Sequence, residues 1–154
     1  MTRATAVRLA GTFAAVLLTA PLAADQAIKP DALGFTVVAP DDVPFPAGAQ
    51  SQVALVGDPS KPGLYVIRIR FSPGNMSKPH FHDQDRLVTV IKGTWWVALG
   101  PEADKFDPSK TKPMKTGSFV KHPAGAHHYD GAKDEECIVQ IIGMGPVRTT
   151  QIGQ

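Results

Sequence analysis

Fourteen glycines and fourteen prolines cut this 154-residue chain into short segments, and they constrain its fold more than any other feature. Neither residue is tolerated in a helix interior without cost: proline removes a backbone donor and clashes with the preceding turn, and glycine has the most backbone entropy to lose. What remains between them is apolar and β-branched. Phe35–Ala39, Gln52–Val56, Leu64–Phe71, Leu87–Ile91, Thr94–Leu99, Ser118–Lys121 and Cys137–Ile142 read as strands, bounded by Pro-Gly, Lys-Gly and Gly-Pro turns. In Leu64–Phe71 the side chains alternate, with Arg68 and Arg70 on one face and Ile67, Ile69 and Phe71 on the other. The best helical candidate is a single turn over Ala103–Lys110, limited by Pro101 and Pro108. Many short strands without a long helix predict an all-β sandwich or barrel.

The N-terminus has a different composition. Arg3 and Arg8 precede an apolar run from Leu9 to Leu18 and small residues at Ala20, Ala23 and Ala24. This is the layout of an export signal peptide over residues 1–24, and its apolar run is too short for a permanent membrane anchor. Its removal takes two arginines and no acid, so 16 basic residues become 14 against 14 acidic ones. The mature chain is then near neutral, with no basic stripe that would suit nucleic acid. Residues 25–33 read as a lead-in and residues 34–154 as one β-barrel domain, large enough for one core only. The expected location is the periplasm or the cell exterior. Cys137 is the only cysteine, so no internal disulfide forms; its apolar surroundings predict a buried, inert thiol.

Two segments carry the polar chemistry. The first runs Gly74, five residues, His80, one residue, His82, three residues, Arg86, six residues, Gly93. The second runs Gly117, five residues, Pro123-Ala124-Gly125, two residues, His128. Side chains two apart on a strand share a face, so His80 and His82 can point together into a barrel while Phe81 points away. Pro123-Ala124-Gly125 is a tight-turn sequence in front of His128.

Spaced in this way, the two segments resemble the paired motifs of the cupin superfamily, and in particular its small single-domain, ChrR-like members. The resemblance implies a jelly-roll (double-stranded β-helix) barrel in which His80, His82 and His128 hold a divalent transition metal: Fe, Mn, Ni, Cu or Zn. His127 has the wrong parity for a ligand and is expected to be exposed or to stand behind one. His122, just before the proline turn, is expected to be structural.

One position departs from the family pattern. The usual fourth ligand is a glutamate; here the residue is Arg86, whose guanidinium stays protonated and cannot ligate a cation. Parity with Val88 and Val90 points Arg86 at the cavity or its rim. Three readings stay open: a three-histidine centre with free positions, a site completed by Gln84 or Asp85, or a degenerate pocket in which Arg86 binds an anion. Arg86 could instead fold outward onto Asp83 or Asp85. Of Trp95 and Trp96, one faces in and one out, and Tyr129 points away from the metal.

The function these features imply is a small metal-dependent enzyme of dioxygenase or lyase type, acting on a small anionic organic molecule with Arg86 in the catalytic site. The competing reading is a non-catalytic periplasmic ligand-binding or sensor domain with weak metal or none. A homodimer is also expected from the family's habit of pairing through outer strands.

Overall fold

A computed structural model describes residues 28–153 of the chain. The leader expected over residues 1–24 lies outside the described residues. Ten strands follow one another: β1 (Gln50–Val56), β2 (Gly63–Phe71), β3 (His80–His82), β4 (Arg86–Lys92), β5 (Thr94–Leu99), β6 (Lys112–Lys115), β7 (Phe119–His122), β8 (His128–Gly131), β9 (Cys137–Gly145) and β10 (Thr149–Gln151). They form two antiparallel five-stranded sheets, ordered β1-β2-β9-β4-β7 and β10-β3-β8-β5-β6. Most neighbours in these sheets are distant in sequence, as a jelly roll requires.

The alternation read in β2 sets the inner face. Tyr65, Ile67, Ile69 and Phe71 are buried, while Arg68 and Arg70 point out, where Arg68 Nε donates to Gln140 and Arg70 donates to the Pro46 carbonyl. Val88 and Val90 of β4, Val139 and Ile141 of β9, and Trp95 and Val97 of β5 complete one core from both sheets. Trp95 is fully buried in it, and Trp96 faces out beneath the Lys133 ammonium, 3.8 Å from the ring centroid. Cys137 is also fully buried, and burial pushes its thiol up to about 12, which keeps it protonated and unreactive.

Two expectations need correction. Phe35–Ala39 is not a strand: Phe35 and Val37 are exposed, and Asp31 Oδ1 draws in the amides of Leu33 and Phe35 to make a turn instead. No neighbouring strand offers this run a ladder, and Pro40 begins a 3-10 turn directly after it. The first paired strand therefore begins at Gln50. The single turn over Ala103–Lys110 is instead two 3-10 turns, Gly100–Ala103 and Pro108–Lys110, each with proline in its first positions. No helix among the described residues is long and apolar enough to cross a membrane.

Candidate metal centre

The three histidines come together at one end of the barrel. His80 and His82 share the inner face of β3, and His80 pairs in register with His128 on β8. Their ring centroids lie 5.0, 4.3 and 5.1 Å apart, and one nitrogen from each falls within 4.8 Å of the others. All three are buried. The turn that delivers His128 is tied to β3 directly: the Gly125 amide donates to the His82 carbonyl at 2.7 Å, and Gly125 holds a φ of +75° that suits glycine.

The hydrogen bonds settle which nitrogen of each ring is free. His80 Nδ1 lies 2.7 Å from the Lys78 carbonyl and His128 Nδ1 lies 2.9 Å from the Ala126 carbonyl. A carbonyl only accepts, so both Nδ1 atoms carry the proton and both Nε2 atoms present lone pairs. His82 reaches the same tautomer by another route. Its Nε2 is 2.5 Å from Arg86 Nη1, which can only donate, so the proton sits on Nδ1, 3.1 Å from Thr149 Oγ1. Three Nε2 lone pairs from one cluster, each ring oriented by a bond to its other nitrogen, are a donor set compatible with a transition-metal ion. The residues present fit such an ion, provided Arg86 gives up the His82 lone pair.

Two of the rings, those of His82 and His128, are held neutral. Burial, then the Arg86 charge and the neighbouring imidazoles, brings His82 down to about 2. Burial brings His128 down to about 4, with Asp130 opposing it. Metal ligation needs this neutral form.

Around the cluster lies a cavity of about 560 Å³ with an apolar side of Ile67, Ile69, Phe71 and Ile141 and a polar side formed by the histidines, Arg86 and Asp130. Arg86 faces inward, as its parity predicts, and is only 8% exposed. It forms no ion pair among the described residues, and Asp83 and Asp85 are engaged elsewhere: Asp83 accepts from the Arg148 amide, and Asp85 accepts from the Ala124 amide and pairs with Lys121. The outward-folded alternative for Arg86 is thus not what the chain adopts.

Gln84 does not join the site. It is exposed on the bend between β3 and β4, outside the cavity lining, as is Asp85, because the three residues after His82 turn outward before β4 begins. No bulge brings either of them back. His127 stacks on Phe81 at 5.6 Å and bonds Asp104 at 2.6 Å, near the surface. Tyr129 points away from the cluster and bonds the Asp107 backbone.

Two cavity residues were given no place in the site by the sequence reading. His122, expected to be structural, is 3% exposed and also lines the cavity, 3.9 Å from the His128 ring, with its Nε2 unpartnered. Burial lowers it to about 3. Its parity with Val120 on β7 was the available signal. Asp130, two residues beyond His128 on the same face, is the one carboxylate among the described cavity residues; it accepts from Ser77 Oγ at 2.6 Å.

No protein-family model matches the chain. No curated protein matches it either. Solved structures do. A cupin-like protein from Thermotoga maritima is 21% identical, with a TM-score of 0.55 over 69% of this chain and 79% of the other. The polyketide cyclase RemF from Streptomyces resistomycificus is 19% identical, with a TM-score of 0.60 over 78% and 88%. A cupin 2 domain-containing protein from Halorhodospira halophila is 20% identical, with a TM-score of 0.56 over 68% and 71%. Likeness at this level of identity shows architecture, and together with the two sheets and the inward histidines it shows that this chain has the cupin fold.

Proposed function

We propose that the protein is an exported metal-dependent enzyme of dioxygenase or lyase type that acts on a small anionic organic molecule. The observation that carries this reading is the convergence of three Nε2 lone pairs beside a buried guanidinium that has no carboxylate partner. His80, His82 and His128 would hold the ion, which would supply Lewis acidity to a bound oxygen atom. The protein's own residues do the rest. Arg86 offers charge and two parallel donors to an anion. Asp130, fixed by Ser77, is an acceptor for a substrate hydroxyl or proton, and the Ile67, Ile69 and Phe71 wall receives an apolar body. Burial disfavours the Arg86 charge, Tyr65 and Asp130 favour it without forming an ion pair, and an anionic substrate paired directly with the guanidinium would relieve the burial cost further.

The test is metal analysis of protein reconstituted with Fe, Mn, Ni, Cu or Zn, followed by oxygen uptake and product detection with diols, diketones and phenolic acids. Stoichiometric metal with turnover is expected. No metal after reconstitution would end the enzyme reading. The second reading, a ligand-binding or sensor domain with weak metal or none, draws support from Arg86 Nη1 at 2.5 Å from a ligand nitrogen; stoichiometric metal without turnover, or carboxylate binding without metal, would favour it. We also infer a homodimer through the outer face of the β1-β2-β9-β4-β7 sheet. Val56, Val66, Ile142 and Leu87 are cross-strand neighbours there, beside Leu64 and Met144.

A further inference from the structure

Arg86 lies in a row that crosses one sheet. Tyr65 on β2, Gly143 on β9, Arg86 on β4 and His122 on β7 are paired in register. Gly143 has no side chain, and the Tyr65 hydroxyl occupies the space a Cβ would take, 2.4 Å from that position. The guanidinium is therefore held between a phenol and an imidazole. Tyr65 Oη, His122 Nε2 and Arg86 Nε are all buried and unpartnered. Neither of these two neighbours carries a carboxylate, Asp130 favours the charge only from beyond ion-pair distance, and the side-chain nitrogen that Arg86 Nη1 meets is His82 Nε2. That lone pair is also one of the three a metal needs, and one lone pair cannot serve both.

We infer that Arg86 is a latch between metal and anion: it holds His82 Nε2 when the cavity contains no anion, and moves onto the carboxylate of a small organic anion when one enters, which frees His82 for the metal. The inference rests on the metal and anion reading above and adds that the two bind cooperatively. By reciprocity, metal must tighten carboxylate binding as much as carboxylate tightens metal. Coupling of this kind is usually worth roughly 5- to 150-fold.

The experiment is calorimetric titration of the metal-free, full chain with cobalt(II), in chloride buffer and in the same ionic strength of formate, acetate or pyruvate. At least one carboxylate is expected to tighten cobalt binding about tenfold. Arg86→Gln, which keeps an amide but cannot hold charge, should bind cobalt about tenfold more tightly than the wild type in chloride and show no further gain from carboxylate. A nitrogen-15 spectrum of metal-free wild type supplies a readout that simple charge repulsion would not move. Carboxylate alone should shift the His82 Nε2 resonance as its bond to Arg86 breaks. Cobalt affinity unchanged by all three carboxylates, or an unmoved His82 signal, overturns the latch and leaves the metal site standing. Should Arg86→Gln fail to fold, the wild-type titrations and spectra still decide. Cobalt bound by neither protein under any condition overturns the latch and the metal reading together.

Discussion

Each imidazole of the cluster is oriented by a different acceptor: Lys78 O for His80, Ala126 O for His128, and the Thr149 hydroxyl for His82. The hydroxyl is the one that a side-chain substitution can remove. Thr149→Val should leave the barrel folded and lower metal affinity by roughly 10- to 100-fold, the usual effect of losing a bond behind a ligand; competition against a chelating dye measures it, and unchanged affinity would show that Thr149 does not orient His82. The neutral histidines also set a pH dependence for the metal-free protein. An unfolded histidine protonates near 6.5, whereas His128, His122 and His82 in the folded chain do so only near 4, 3 and 2. Between pH 6.5 and 4 unfolding thus takes up protons, so stability falls as pH falls through that window. Urea midpoints at pH 7, 5.5 and 4.5 should descend in that order, and a flat series would contradict the burial of these rings. At this scale the sequence was most legible where spacing alone selects a face: His80, His82, His128 and the inward Arg86. It offered Gln84 as a further donor and could not place it, because the direction of a bend after a strand depends on where the next strand lies.

Among the elements, legibility followed burial. β2, β4, β5 and β9 have an apolar inner face, and their alternation is visible in the residues. β6 (Lys112–Lys115) and β10 (Thr149–Gln151) are short, polar and at sheet edges, so they are strands only because β5 and β3 offer them a ladder. The turns between elements make their own demands. Gly93, which joins β4 to β5, has a φ of +71°, and a Cβ there would come 2.2 Å from the Glu136 carbonyl oxygen. Gly93→Ala should cost about 2 kcal/mol or more, from the left-handed backbone and the backbone contact together. Gly143→Ala is a different case, since its Cβ would meet the buried Tyr65 side chain rather than backbone. An overpacking loss of about 1–3 kcal/mol is expected in chemical denaturation, with Arg86 displaced along with Tyr65. Loss of stability for Gly143→Ala without any change in cobalt affinity would show that the row across the sheet does not position the guanidinium.

Taken whole, the molecule buries its inner faces and leaves one outer face unusually apolar. Val56, Leu64, Leu87 and Met144 are 48%, 55%, 39% and 55% exposed on adjoining strands. Scattered exposed apolar residues are ordinary, but a contiguous row is not. On the homodimer reading, Leu87→Glu should convert a dimer to a monomer in sedimentation at micromolar concentration with the barrel intact. A monomeric wild type would remove that reading and leave the cavity, lined by inner-face residues, untouched.

What the sequence determined by itself was local or periodic: the all-β character, from glycine and proline punctuation; the inward parity of β2 and β4; and the identity of the three histidines, from two short motifs. Only the tertiary structure decided what stands next to what. His80 and His128 become neighbours through β3–β8 pairing, Thr149 reaches His82 through β10, and Tyr65, Arg86 and His122 form one row through three separate ladders. The physical reason is that backbone ladders join any two strands whose faces agree, so periodicity in the chain says which way a side chain points and says nothing of its partner. That is why the sequence could aim Arg86 at the cavity, while only the assembled sheets could set it against the lone pair of His82.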